Sequence, residues 1–350
     1  MDKNGYPLSL FGHFLHRNFI WFLLGSYAVA AAAPRAGLAI KDFSLGRFEL
    51  FGEHIPLSLP MLLLALLLLN AGLGVQTTQL RHLLLRPWSL VAGLAANLFI
   101  PIAYIFAVSQ TMRLWHNPDE VQNILVGLAL VASMPIAGSS TAWTQNANGD
   151  LSLSLGLVLG STLLSPLTTP LALHSVGLMT TGDYSEDLHE LAASGTTGGF
   201  LAACVILPSL LGILLRFSAG EERVTPVKPT LKLLNSINLL VLNYSNASVS
   251  LPKAISDPDL DFLAVTGIIV CGLCVLAFGA GWIIARLLRL EAPRQTSLMF
   301  GLGMNNNGTG LVLAALMLGD HELVMLPIIF YNLVQHLVAG SIDFLLFRRG

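Results

Sequence analysis

Ten apolar segments fix the class of fold open to this chain. They run at about 18–37, 56–76, 88–110, 121–146, 151–178, 197–217, 231–250, 261–288, 295–318 and 322–347, and most approach the length of a helix that crosses a bilayer. In lipid, every backbone N–H and C=O must be satisfied within the segment, so such runs read as helices and the chain as an all-α polytopic membrane protein. Composition agrees, because 54% hydrophobic and 11% charged residues give more apolar surface than one soluble core could hide. The seventh segment is the weakest of the ten, interrupted by Asn235, Asn238, Asn243 and Asn246. The first has no convincing cleavage site behind it and reads as a span rather than a removable signal.

Loop charge orients the spans, since cytoplasmic loops carry an excess of Lys and Arg. With a cytoplasmic N-terminus, Lys3, Arg17, Arg81, Arg86, the Arg216–Lys232 group, the Arg286–Arg294 cluster, Arg348 and Arg349 fall inside. Arg35, Lys41, Arg47, Arg113 and Lys253 are left outside. Dropping the seventh span would carry the Arg286–Arg294 cluster across the membrane, so ten spans with both termini cytoplasmic is the expected topology. Two five-span halves follow, 1–180 and 197–350, which enter the bilayer in opposite orientations. Between them lies an acidic external loop at 181–196, with Asp183, Glu186, Asp187 and Glu190; it and the Asp257, Asp259, Asp261 group read as solvated. The basic residues are spread over short loops rather than gathered into a stripe, and no nucleic-acid partner is implied. Cys204, Cys271 and Cys274 all lie in apolar runs and give neither a disulfide framework nor a four-ligand metal site.

Two spans carry an interruption that lipid does not tolerate unless it faces protein or a wet cavity. One is Ser133-Met-Pro135-Ile-Ala-Gly138-Ser139-Ser140-Thr141 in the fourth span; the other runs from Gly303 to Gly310 in the ninth and contains Asn305, Asn306, Asn307 and Thr309. Each is the fourth span of its half, and matching interruptions in two halves point to a solute site at an inverted-repeat interface. A broken helix frees N–H groups at one half-helix start and carbonyls at the other end, which suits an anion and a cation together. Glycines at 303, 308 and 310 permit the backbone geometry, while the asparagines supply amide oxygens for a hard cation and amide hydrogens for a carboxylate. The alternative is a packing kink, for which three adjacent asparagines are costly.

Ser139, Ser140, Thr141, Thr144, Gln145 and Asn146 form a polar cluster after the fourth-span break. Asn97, alone in an apolar third span, needs a partner inside the bundle. Pro166 and Pro170 are expected to kink the fifth span, with nearby hydroxyls satisfying the released carbonyls. His336 in the tenth span reads either as a hydrogen-bonded structural histidine or as a proton-coupling group, and Asp343 as an end anchor.

Several of these pieces resemble the bile acid:sodium symporter family, in the same order and over nearly the whole chain. They are Pro135 through Asn148, Gly149-Asp150-Leu-Ser152-Leu-Ser154, Ser161-Thr-Leu-Leu-Ser165-Pro166-Leu-Thr-Thr-Pro170, Gly303-Met304-Asn305-Asn306 and His336-Leu-Val-Ala-Gly340-Ser341. The resemblance implies ten transmembrane helices in two inverted five-helix repeats. Helices 1–2 and 6–7 would form a panel and helices 3–5 and 8–10 a core in which broken helices four and nine cross. It also implies uptake of organic anions, among them bile acids and small carboxylates, usually with sodium. Carried over residue by residue, Ser140, Thr141 and Ser154 fall at one sodium ion. Asn97 and Asn305 fall at the other, with Leu302 and Met304 offering backbone carbonyls. Asn305, Asn306, Asn307, Thr309, Ser139 and His336 are the expected solute contacts. The sodium site is altered, because the family's glutamate is Gly301 here, one of its asparagines is Thr141 and a fifth-span threonine is Val158.

The expected function is a secondary active transporter of an organic anion, coupled to a cation and working by alternating access in a bacterial inner membrane. A sodium-independent facilitator or non-transporting sensor of the same fold is the alternative that Gly301 raises. An intramembrane enzyme pairing a serine with His336 lacks a nucleophile motif and an acidic partner for the histidine. No enzyme cofactor is expected, sodium is the coupling ion in prospect, and no oligomeric state is implied.

Overall fold

The computed structural model describes residues 14–15, 18–50, 53–74, 87–224, 226–256 and 258–343. Lys3, Arg17, Arg81, Arg86, Asp257, Arg348 and Arg349 of the charge argument lie outside them. The chain divides into two compact units, one made of segments 1–75 and 199–256, the other of 76–198 and 257–350.

In the first unit the apolar run expected over 18–37 does not stay straight. Helix α1 (Phe19–Ala32) ends before Pro34, and α2 (Pro34–Asp42) leaves at 92°. Pro34 opens the second helix because its fixed φ and missing N–H suit a first turn and not a helix interior. A hairpin follows that the apolar segments did not announce: β1 (Ser44–Leu50) pairs antiparallel with β2 (Glu53–Ser58), Phe48 opposite Ile55. It shortens the expected second span to α3 (Leu59–Leu73). Helix α9 (Thr197–Ala219), which opens a π-helical turn over Leu201–Ile206 just before Pro208, packs on α3 at Gly72 and Gly212. A Cβ on Gly212 would strike the Leu69 carbonyl, so the backbones meet as small-residue crossings in membranes do. Helix α10 (Lys228–Ser256) is unbroken despite its asparagines. Asn238 Nδ2 donates to the Leu63 carbonyl at 2.7 Å, and Asn70 of α3 returns a bond to the Leu231 carbonyl at 2.9 Å. In an apolar medium such amides join helices rather than end them.

The second unit holds α4 (Trp88–Thr111), α5 (Pro118–Ser133), α6 (Ser139–Asn146), α7 (Leu151–Gly177), α8 (Asp183–Ala193), α11 (Leu260–Leu287), α12 (Ala292–Gly303), α13 (Asn307–Met317) and α14 (Met325–Ile342). Asn117, Asp150 and Asp259 cap α5, α7 and α11 by accepting backbone N–H bonds in the first turn. Helix α7 runs through Pro166 and Pro170 without ending. The Thr162 carbonyl that loses its partner to Pro166 accepts a bond from Ser165 Oγ at 2.7 Å.

The acidic stretch expected as a solvated loop is instead helix α8, held by buried Leu188 and Leu191 one turn apart. Asp187 meets His321 at 3.3 Å, and Tyr184 OH accepts a bond from Asn123 Nδ2. Partial burial raises the Asp187 carboxyl above its usual range, and the facing imidazole offsets this in part.

Among the described residues, five helices are long and apolar enough to cross a membrane, and the bent α1–α2 pair makes a sixth if it is one span. The five are Trp88–Leu114, Leu151–Gly177, Thr197–Ala219, Leu260–Leu287 and Glu322–Ile342. The fourth and ninth expected spans fail the length test because each is broken in the middle, and the seventh fails on hydropathy because of its asparagines.

A candidate solute site at the crossing of two broken helices

Pro135 disfavours α geometry in the residue before it, and Met134 is extended (ψ 145°), so α5 stops at Ser133. Met304, also extended at φ −129° and ψ 108°, ends α12. The two extended stretches lie side by side, Ile136 opposite Asn305 in an antiparallel bridge. The Ala137 N–H donates to the Met304 carbonyl at 2.9 Å and the Asn306 N–H to the Pro135 carbonyl at 2.8 Å. In this pattern Ile136 and Asn305 form the narrow pair, whose own N–H groups point away from each other and must find acceptors elsewhere. Ile136 N–H finds Ser161 Oγ of α7 at 3.0 Å, and Asn305 N–H finds Gln335 Oε1 of α14 at 3.0 Å.

The freed carbonyls are answered by the same two helices. Thr169 Oγ1 of α7 donates to Ser133 C=O at 2.7 Å, and Tyr331 OH of α14 donates to Gly303 C=O at 3.3 Å. Thus the helix that follows each broken one supplies two polar side chains to it. Sequence reading noted Gln335 among the polar residues of the tenth span without giving it a role, and missed Tyr331. The clue available was that a break leaves an N–H needing an acceptor, and that these two residues lie one turn apart on the next apolar helix.

The expected solute contacts separate into distinct roles. Asn306 caps α13, its side chain accepting the Thr309 N–H at 3.4 Å. Asn305 braces the crossing, with Nδ2 donating to the Val131 carbonyl at 2.8 Å, while its Oδ1 is buried without a hydrogen bond. Asn307 is 1% exposed, and neither atom of its side-chain amide has a partner. The hydroxyls of Thr309, Ser140 and Thr144 are likewise buried and unbonded. Orphaned polar atoms are rare in folded interiors, and here Asn307 and Thr309 stand in the first turn of α13 and Ser140 in the first turn of α6. Both α6, which opens at half-buried Ser139, and α13, which opens at Asn307, begin at the crossing, adding partial positive charge from each.

His336 is tied to α6. Its Nδ1 accepts the Trp143 indole N–H at 3.4 Å, and Trp143 stacks on Phe300 of α12 with ring centroids 6.2 Å apart. An indole N–H can only donate, so Nδ1 is the acceptor, and the bond joins α6 to α14.

The expected cation ligands fall into two groups. Ser140, Thr141 and Ser154 stand together, with Ser154 Oγ donating to Thr141 Oγ1 at 3.1 Å. Asn97, whose Oδ1 is buried and unbonded, lines a cavity of about 20 Å³ with Ala132, Ser133, Met134, Pro135, Ser161 and Thr168. The Met304 carbonyl already accepts the Ala137 N–H, and Leu302 lies in an apolar cluster with Leu157, Val158, Leu298 and Ile136.

The sequence profile of the sodium bile acid symporter family matches residues 61–253, more than half of the 350. The chain belongs to that family. As a sodium bile acid symporter family protein it is an integral membrane transporter and not an enzyme; a small-molecule solute and a bilayer are its partners, and sodium is compatible as its coupling ion. It is 26% identical over 280 residues to the uncharacterized protein YbaS of Bacillus subtilis, covering 79% of this chain and 85% of that one. It is 24% identical over 255 residues to the uncharacterized sodium-dependent transporter YocS of the same organism, 72% of each chain. Over 279 residues it is 25% identical to a probable sodium/metabolite cotransporter, chloroplastic BASS1 of rice, 79% of this chain and 62% of that protein.

Proposed function

We propose that this protein is a secondary active transporter that carries an organic anion, a bile-acid-like molecule or small carboxylate, together with a cation by alternating access around the crossing. The observation that carries this reading is the side-chain amide of Asn307, buried and unbonded at the start of α13, two residues beyond the backbone bridge between the broken helices. Neutral donors and two helix N-termini suit a carboxylate or sulfonate, which brings the charge that the site lacks. Among the described residues, every acidic side chain of the second unit lies at or beyond the end of a long helix. Asn305, Asn306, Asn307, Thr309 and Ser139 are the proposed solute-binding region, Asn306 through its cap and His336 through its bond to Trp143.

Coupling to sodium is supported by the description of YocS as a sodium-dependent transporter and of the rice protein as a probable sodium/metabolite cotransporter. We further read the second unit as a core and the first as a panel, built from ten spans in two inverted repeats with both termini cytoplasmic, in a bacterial inner membrane. The matched supports support the repeat: Ser161 and Thr169 serve the break at 134–138 as Gln335 and Tyr331 serve the break at 304–306.

The test is uptake into proteoliposomes of a conjugated bile acid and of short monocarboxylates, with a sodium gradient or with choline in its place. The expected result is concentrative uptake of at least one anion in sodium and little in choline. Equal uptake in both would favour the facilitator, to which the glycine at 301 points, and the absence of uptake of any anion would contradict the transporter assignment.

A further inference from the structure

The hairpin between α2 and α3 has two outer edges, and they are not alike. Opposed residues in an antiparallel ladder alternate between pairs that exchange both backbone hydrogen bonds and pairs whose N–H and C=O groups point away from each other. Here Arg47 stands opposite Pro56, Phe48 opposite Ile55, Glu49 opposite His54 and Leu50 opposite Glu53. Pro56 has no N–H to exchange, so its pair is of the outward kind. Leu50 and Glu53 close the hairpin across two residues, and by the same count theirs is a bonded pair. Alternation then turns the backbone groups of Arg47 and Glu49 to the free edge of β1, and those of His54 and Pro56 to the free edge of β2.

A proline on an outer edge blocks pairing with another chain, and β2 carries one where β1 has none. Among the described residues, β2 is the only strand paired with β1, and Arg47 and Glu49 are exposed. The open edge is short, because the irregularity between Ser44 and Arg47, where Gly46 stands at φ 129°, ends regular pairing at Arg47. Its charges match themselves. Arg47 and Glu49 are two residues apart and share one face of the strand. A second copy of β1 laid antiparallel, with a two-fold axis at Phe48, puts Arg47 of each copy opposite Glu49 of the other. Four outward N–H groups then meet four outward carbonyls, and two ion pairs form across the ladder. Moving the axis to Arg47 or to Glu49 brings like charges face to face, so the charges also set the register. We propose that β1 is a homodimer contact, where two copies of this chain join their hairpins into a four-stranded sheet through reciprocal Arg47–Glu49 pairs. The inference uses no residue of the broken-helix crossing and stands apart from the transporter reading.

The test uses the full chain in reconstituted membranes, with Cys204, Cys271 and Cys274 replaced by alanine for cross-linking. Phe48→Cys should give a disulfide-linked dimer in high yield with mild oxidant, because residues that meet on the axis form a narrow pair about 4.5 Å apart at Cα. Leu45→Cys should give little, since the same register sets its two copies about 20 Å apart along the strands. With the native cysteines in place, the dimer fraction is read by single-molecule photobleaching over a range of protein densities. Arg47→Glu turns both attractive pairs repulsive and should raise the dissociation constant about tenfold or more, and Arg47→Glu/Glu49→Arg should restore it. A protein monomeric at every density, a dimer indifferent to Arg47→Glu, or cross-linking through Leu45→Cys as complete as through Phe48→Cys would overturn the proposal. Should Arg47→Glu not fold, the comparison of the two cysteine positions decides the matter.

Discussion

Replacing Asn307 by alanine should lower organic-anion uptake by about 10- to 100-fold while leaving the protein as stable as before, or more so. A hydrogen bond to an ionised group contributes about 1.5–3 kcal/mol, and about 1.4 kcal/mol is a factor of ten, which sets the size of the loss. The direction of the stability change separates this reading from a packing role. Asn307 sits 1% exposed with both amide atoms unbonded, so its burial is a desolvation penalty with no return inside the protein. Alanine at that position removes the penalty. A residue kept for packing would show the reverse, a fall in the thermal midpoint with uptake per folded molecule unchanged. Uptake in proteoliposomes together with a detergent thermal-shift measurement reads both quantities on one preparation.

Replacing Gln335 by leucine should act in the opposite way, through the fold. Gln335 Oε1 is the acceptor for the Asn305 N–H, and the bridge geometry leaves that N–H nowhere else to turn. Stranding a buried donor costs about 1–3 kcal/mol, so the thermal midpoint should drop, and the crossing itself should relax enough to cut uptake by a similar factor or more. Tyr331→Phe should be milder, because its bond to the Gly303 carbonyl is long at 3.3 Å and a carbonyl has a second lone pair. If Gln335→Leu unfolds no more readily than the parent protein, the support role assigned to α14 fails.

Where the helices break was legible in the sequence, since Pro135, Gly138 and the glycines at 303, 308 and 310 are poor company for a regular helix in lipid. That the two breaks pair with each other was not derivable from residue pattern, because the joining bonds are backbone to backbone and carry no side-chain signature. The resemblance to a family of crossing helices supplied that expectation. The division of labour among the asparagines was also hidden. Three identical amides in a row serve as a brace, a cap and an unbonded contact according to a turn of backbone that one sequence does not display.

Other features went unread for physical reasons that are visible in hindsight. Pro34 lies inside an apolar run, and hydropathy averages across the very residue that bends the chain by 92°. The hairpin strands are short and lie between long apolar segments that dominate the pattern, and Pro56 inside the second is a poor strand signal. In α8, acidic residues outnumber the Leu188 and Leu191 stripe that makes it a packed helix. In α10, Asn238 looks like an interruption and instead donates to the Leu63 carbonyl of α3, a neighbouring carbonyl being a good partner for an amide in lipid.

The central claim is that two helices open at residues 134–138 and 304–306 and join backbone to backbone. Ile136 and Asn305 form a narrow antiparallel pair, for which a Cα separation of about 4.5 Å is within reach of a disulfide. The most direct measurement is therefore oxidation of Ile136→Cys/Asn305→Cys in a background with Cys204, Cys271 and Cys274 replaced by alanine, followed by mass spectrometry of the digested protein. The account predicts that mild oxidant joins the two peptides in high yield in reconstituted membranes. Two thiols that both remain free to alkylate in the folded protein would contradict it.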